Sequence, residues 1–174
     1  MRLFFALWPD AGVRSLIADA AAGLRLSGAA RPVPRENYHL TLAFVGEVPS
    51  SSLAVLQQIG RSSQREPACT ISLDAYEHWR EPRVVVAVAR ETPAALTLLS
   101  TRLRAALQDR AAEPLLRAHV TLARKVAQAP VPQAMSAIPW RATAFSLVSS
   151  DTRGPHAVYT VVDTWPLLDE TPMA

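Results

Sequence analysis

Two short stretches of the chain place a histidine and a threonine two positions apart in strand-like sequence. They are His39-Leu40-Thr41-Leu42-Ala43 and, eighty positions later, His119-Val120-Thr121-Leu122-Ala123. The copies agree at four of five positions, and the fifth exchanges Leu for Val. The chain holds only four histidines, so two of them in one context single these segments out. In a strand, residues i and i+2 point to one face about 6.5 to 7 Å apart, and i+1 points to the other. Each histidine therefore shares a face with its threonine, and Ala43 and Ala123 continue that face as small residues beside the imidazole. Leu40, Leu42 and Phe44, with Val120 and Leu122 in the second copy, are expected to anchor the strands in a core.

Two such strands facing one another across a groove would bring two imidazoles and two hydroxyls to one centre. A phosphodiester is the substrate that uses this set. Its hydrolysis needs a base for the attacking oxygen, an acid for the departing one, and donors for the non-bridging oxygens. Histidine serves as acid or base near neutral pH, and threonine hydroxyls donate to phosphate oxygens. A single strand histidine is more often a hydrogen-bonded structural residue, and threonine is common in strands anyway; the duplication is what points to a site. A dedicated metal centre is disfavoured, because His-x-Thr lacks a second strong ligand and Glu36 and Glu47 would need a third partner. No Gly-x-Ser-x-Gly elbow signals a serine hydrolase. With neither Gly-x-Gly-x-x-Gly nor a Walker lysine motif, no cofactor is expected.

The elements that must position these residues are legible from periodicity. Arg2 to Leu7 reads as a strand that stops at Trp8-Pro9-Asp10, with Asp10 capping a helix. Val13, Leu16, Ile17, Ala20, Ala21 and Leu24 give that helix an apolar face up to Gly28. Arg31 to Tyr38 is an extended connector, and the first motif strand runs to Gly46. Pro49 to Ser52 opens a second helix with Leu53, Leu56 and Ile59 on its edge. Ala68 to Tyr76 and Val84 to Ala89 read as strands joined by a loop over Glu77 to Arg83. Thr92-Pro93 caps a third helix carrying Leu96, Leu99, Leu103 and Leu107. Pro114 precedes the second motif strand, and a proline-containing stretch spans Ala127 to Pro139. The last two strands are Ala142 to Ser149 and Ala157 to Val162, around a turn from Asp151 to Pro155. Hairpins mixed with helices favour an α+β layer fold over a doubly wound parallel sheet.

At 174 residues, with 49% apolar and 19% charged, the chain has material for one buried core and gives no reason to invoke disorder. No apolar run approaches the roughly 20 residues of a membrane span, and the N-terminal start does not form a secretory signal, so a cytoplasmic location is expected. Cys69 alone permits no internal disulfide framework and no cysteine-rich zinc site. A net charge of +3 is a mild bias toward polyanions, compatible with nucleic acid. Phe4, Phe5, Trp79 and Tyr159 are available to stack on a base, although core packing accounts for most such rings. His78 and His156 lie in loop-like sequence and read as surface residues.

Taken together, His39-Leu40-Thr41-Leu42 and His119-Val120-Thr121-Leu122 resemble the paired motifs of the two-histidine phosphoesterases. More closely, the chain is similar to the RNA 2′,3′-cyclic phosphodiesterase branch, the 2′-5′ RNA ligase-like proteins of bacteria and archaea. The likeness runs nearly end to end. It includes Arg2 to Leu7, Val33-Pro34-Arg35-Glu36-Asn37-Tyr38 before the first motif, Val45-Gly46-Glu47-Val48 after it, Arg117 to Arg124, and Tyr159 to Leu167. Where the family often has Phe-x-Pro before the second histidine, this chain has Leu116-Arg117-Ala118.

The resemblance implies a single bilobal domain over residues 1–174, its two pseudo-symmetric lobes holding antiparallel sheets around a central cleft with helices outside. It implies metal-free opening of a 2′,3′-cyclic phosphate at an RNA end to give a 2′-phosphate; a monomer is expected. His39 is implied as proton donor to the leaving 3′ oxygen and His119 as the proton acceptor that activates water; the near symmetry of the motifs would allow the reverse. Thr41 and Thr121 are expected to bind phosphate. Arg124 joins them only if the strand ends or bulges at Ala123, because at i+5 from His119 regular parity turns it away. Reversible 2′-5′ RNA ligation at the same site and non-catalytic binding of RNA ends are the alternative readings.

Overall fold

The computed structural model describes residues 1–108, 116–131, 134–154 and 157–169. Pro114, Pro155 and His156 therefore lie outside the described residues. The strands are β1 (Arg2–Leu7), β2 (Arg31–Pro32), β3 (Leu40–Glu47), β4 (Cys69–Leu73), β5 (Ala75–Trp79), β6 (Val84–Val88), β7 (His119–Arg124), β8 (Ile138–Ala142), β9 (Ala144–Asp151) and β10 (Val158–Pro166). The helices are α1 (Ala11–Ala22), α2 (Leu53–Ser63) and α3 (Ala94–Ala106). One four-stranded sheet has the order β10-β9-β1-β3 and the other β2-β7-β6-β5, while β4 and β8 pair by themselves. All the ladders are antiparallel, and the expected α+β architecture is the one observed.

The two large sheets share a plan. In the first, β1 lies between β9 and β3; in the second, β6 lies between β5 and β7. Each motif strand thus pairs with a central apolar strand, LFFAL in one lobe and VVVAV in the other. Alternation along those central strands divides two faces. Leu3, Phe5 and Leu7, with Val85 and Ala87, enter a common core that also takes Leu56 from α2 and Leu96, Leu99 and Leu103 from α3. Phe4 and Ala6 in one sheet, and Val84, Val86 and Val88 in the other, lie on the opposite faces in two smaller clusters.

Helix signals acted as their chemistry requires. Asp10 caps α1 by accepting from the Val13 N–H at 2.9 Å. The helix ends at Ala22, short of Gly28, and Leu24 nevertheless reaches the core. Pro93 begins α3 without a side-chain cap, because the Thr92 hydroxyl instead accepts from the Ala118 N–H at 3.1 Å, just before the second motif.

Strand boundaries differ in several places, among them the last strand, which runs on to Pro166 instead of ending at Val162. The strand expected over Ala68 to Tyr76 breaks at Asp74, where the chain leaves the β4–β8 pair and enters the β5–β6 hairpin; Asp74 stabilises the corner by accepting from the Arg90 N–H. Glu77, His78 and Trp79 are consequently strand residues, not loop, which leaves only residues 80–83 for the turn. Near the C-terminus, Thr143 separates β8 from β9, so Ile138 to Ala142 form a strand of their own against β4.

Candidate active site

The motif strands depart from regular parity at the same point. Along the β1–β3 ladder, Ala6 pairs with Thr41 and Phe5 with Ala43, which leaves Leu42 unpaired. Along β6–β7, Val86 pairs with Thr121 and Val85 with Ala123, which leaves Leu122 unpaired. Both are β-bulges three residues after the histidine, and an extra residue reverses the facing of the residues that follow, in β3 until a second register shift at Val45. Ala43 and Ala123 therefore turn into the core, 3% and 0% exposed, and do not continue the functional face as expected. Phe44 turns the other way: it is not a core anchor but 65% exposed beside Phe4 at the mouth of the cleft. Arg124, one step beyond Ala123, is likewise delivered to the cleft side, so the condition attached to it is met one residue earlier than anticipated.

Each bulge leaves a backbone carbonyl outside the regular ladder, and each is satisfied from elsewhere. The Ser100 hydroxyl of α3, 3% exposed, donates to the Leu42 carbonyl at 2.6 Å. The Val33 N–H donates to the Leu122 carbonyl at 2.8 Å. A buried carbonyl without a donor would cost about 1 to 3 kcal/mol, so these bonds help to make the bulges tenable.

Between the sheets lies a cleft of about 1170 Å³ lined by His39, Thr41, His119, Thr121 and Arg124 together. All five residues singled out in the sequence are thus in one place. The backbone sets the two imidazoles alike. His39 Nδ1 is 2.6 Å from the carbonyl oxygen of Asn37, and His119 Nδ1 is 2.7 Å from that of Arg117. A carbonyl only accepts, so Nδ1 carries the hydrogen in both rings and Nε2 is the nitrogen free to work. Asn37 is itself held by its side-chain amide, which donates to the Ala157 carbonyl at 2.8 Å.

Around these matched frames the lobes differ. Three aromatic rings surround His39: Trp8 stacks on it with centroids 5.1 Å apart and planes within 10°, while Phe4 and Tyr159 approach to 5.1 and 5.0 Å. Around His119 the groups are largely charged. Trp79 packs against the ring at 4.5 Å, its indole N–H donates to Glu77 at 2.8 Å, and the other Glu77 oxygen pairs with Arg117. Burial drives the His39 pKa down from 6.5 to about 4, opposed by the bond to Asn37 and reinforced by the positive charges of Arg124 and His119. Burial also lowers His119; the Arg117 carbonyl and the Glu77 carboxylate raise it, whereas the Arg117 and Arg124 guanidiniums lower it.

Of the four rings considered for stacking, only Phe5 is wholly core, packed on Phe145 and Trp165. Phe4, Trp79 and Tyr159 wall the two imidazoles, and Trp8, which read only as a strand stop, is a fourth wall. His78 is not a free surface group: it sits in β5, half-buried, with Nε2 donating to the Val126 carbonyl at 3.0 Å. Among the described residues, no group of three or more His, Cys, Asp or Glu side chains is placed to hold a metal ion. No described helix is long and apolar enough to cross a membrane.

A family model described as the 2′-5′ RNA ligase superfamily matches residues 13–154. The chain belongs to this superfamily. The resemblance read from its His-x-Thr pairs is thereby established, and the chain is an enzyme of the two-histidine phosphoesterase kind. Among superfamily relatives, it is 31% identical to an RNA 2′,3′-cyclic phosphodiesterase of Thermus thermophilus, over 98% of this chain and 92% of that one. It is 33% identical to a protein of the same name from Escherichia coli, over 95% and 96%. The crystal structure of E. coli LigT with NADP+ superposes with a TM-score of 0.84 at 34% identity, covering 95% of this chain and 97% of that one. Crystal structures of E. coli LigT with phosphate and with 3′-AMP are similar to this chain as well.

Proposed function

We propose that this chain opens the 2′,3′-cyclic phosphate at an RNA end to a 2′-phosphomonoester, by acid–base catalysis between His39 and His119 without a metal. The observation that carries the reading is the meeting of both imidazoles in one cleft, each with Nδ1 spent on a backbone carbonyl and Nε2 free. The names of the Thermus and E. coli relatives support the substrate class.

In this mechanism Nε2 of His119 takes a proton from water as the water oxygen bonds to phosphorus. The bond from phosphorus to the 3′ oxygen breaks, and that oxygen takes a proton from Nε2 of His39. Thr41 and Thr121 donate hydroxyl hydrogens to the non-bridging oxygens, and Arg124 offsets the charge that builds there. His39 is neutral at pH 7 in the free protein, since burial among aromatic rings opposes its charge. The anionic phosphate restores its proton on binding, and the same desolvation makes the resulting imidazolium a ready donor. Phe44 stands on the cleft side beyond Thr41 and Phe4, on the aromatic half that takes the 3′ side of the substrate. It offers an exposed ring on which the terminal base stacks, a contact that any of the four bases can make.

The test is turnover of an oligonucleotide ending in a 2′,3′-cyclic phosphate, in excess chelator. The expected product is the 2′-phosphomonoester at an undiminished rate. A 3′-phosphate product would refute the assignment of the leaving oxygen, and loss of turnover on chelation would refute the metal-free route.

A further inference from the structure

The two lobes supply frames matched in hydrogen bonding and register for their histidines, yet only one histidine has a carboxylate in the row of residues next to it. On the cleft face of the second sheet, Glu77 of β5 pairs with Val86 of β6, which pairs with Thr121 of β7. The equivalent row in the first sheet is Ser146, Ala6 and Thr41. Ser146, where the plan would put a carboxylate, is hydrogen-bonded to the Thr164 hydroxyl at 2.9 Å. The pseudo-symmetry is therefore broken by one residue, Glu77 against Ser146.

Both oxygens of Glu77 are committed to groups that hold His119. One accepts the indole N–H of Trp79, whose ring lies against the imidazole; the other pairs with the guanidinium of Arg117, whose carbonyl takes the imidazole Nδ1–H. We propose that Glu77 is a positioning residue that fixes the His119 ring through Trp79 and Arg117 and stabilises its imidazolium, thereby setting the base apart from the acid. The inference rests on the acid–base reading above and adds to it the group that assigns the roles.

The chemistry follows the charge. When His119 takes the water proton its ring becomes positive, and a carboxylate one residue-row away is worth more to that state than to the neutral ring. His39 undergoes the opposite change: it loses its positive charge, and among the described residues no carboxylate acts on it. The charges acting on His39 are those of Arg124 and His119, both positive, which favour release of its proton. Facing His119 are Glu77 from β5, Arg117 before β7, Arg124 at the end of β7 and His39 from across the cleft; Arg2, Glu81 and Arg104 line the same cleft. Among the described residues, Glu77 is the acid that acts on His119, and it also holds the Arg117 guanidinium in an ion pair.

Glu77→Gln separates these effects, because the amide oxygen still accepts the Trp79 N–H while the charge is gone. Ring titrations of both histidines, followed by NMR in the free protein, need no substrate. The expected result is that His119 titrates at least half a pH unit lower in the variant while His39 stays at its wild-type value. In turnover, kcat falls about tenfold with little change in KM, and the acidic limb of the kcat profile, which reports the substrate complex in which His39 has regained its proton, moves to lower pH. In a His119→Ala background the same substitution costs nothing further, as expected for residues acting as a unit. If Glu77→Gln does not fold, Glu77→Asp is read instead, with a smaller shift in the same direction. An unchanged His119 titration in the folded variant would overturn the proposal. Absence of turnover by the wild-type protein would sink the cyclic phosphodiesterase reading and leave the titration to decide the role of Glu77 alone.

Discussion

At the scale of single residues, each imidazole is tied to the scaffold through one ring nitrogen, and the proposed mechanism uses the other. His39 and His119 each give Nδ1–H to a carbonyl two residues back, a local bond that the sequence spacing itself makes available. Phe44 presents its ring to the cleft because the chain has slipped by one residue. If that ring carries a base, Phe44→Ala raises KM for cyclic-phosphate oligonucleotides by about tenfold or more, since stacking contributes about 1 to 3 kcal/mol per base. Steady-state kinetics on the variant would show kcat nearly unchanged; a KM at the wild-type value would assign Phe44 no part in binding. The histidines and threonines were readable in the sequence because identical chemistry recurs in an identical local context. Trp8 was not, because its contact with His39 joins residues 31 positions apart through strand pairing that no local pattern encodes.

At the scale of elements, the informative feature is the bulge shared by β3 and β7. It delivers Phe44 and Arg124 to the cleft and sends Ala43 and Ala123 inward. In β3 the buried hydroxyl of Ser100 caps the bulged Leu42 carbonyl from α3. Ser100→Ala should therefore destabilise the protein by about 1 to 3 kcal/mol, read as a lower Tm or denaturation midpoint. Turnover should fall as well, because Thr41 and Phe44 flank the bulge. A variant with wild-type stability would mean that another donor reaches the carbonyl. Helices and strands were legible from the sequence wherever apolar period and caps agreed, as at Asp10 and along Leu96, Leu99 and Leu103. The bulges were not, because alternation in one strand says nothing about the register its partner imposes. The corner at Asp74 escaped for the same reason: continuous strand-like sequence served two different sheets.

At the scale of the whole molecule, two sheets of one plan present unequal faces to a common cleft. One face is aromatic about His39, with Phe4, Trp8 and Tyr159; the other carries Glu77, Arg117 and Arg124 about His119. Near-symmetry brings the imidazoles together, and its breaking is what the proposed mechanism uses to give them different work. The core behind the cleft takes residues from both four-stranded sheets, so neither face is built independently of the other. The α+β class followed from hairpins mixed with helices, and the pairing of lobes was expected from the family likeness. The division into an aromatic and a charged half did not, since Trp8, Tyr159 and Glu77 come from segments with no motif of their own.

The central claim is that the two imidazoles act on one phosphorus atom as a unit. A double-mutant cycle on kcat/KM for a cyclic-phosphate oligonucleotide tests it most directly, using His39→Ala, His119→Ala and the pair. Each single variant is expected to lose about 10²- to 10⁴-fold, with the double variant scarcely worse than either, because removing one member leaves the other without a partner step. Full activity in either single variant, or losses that simply multiply in the double, would contradict it.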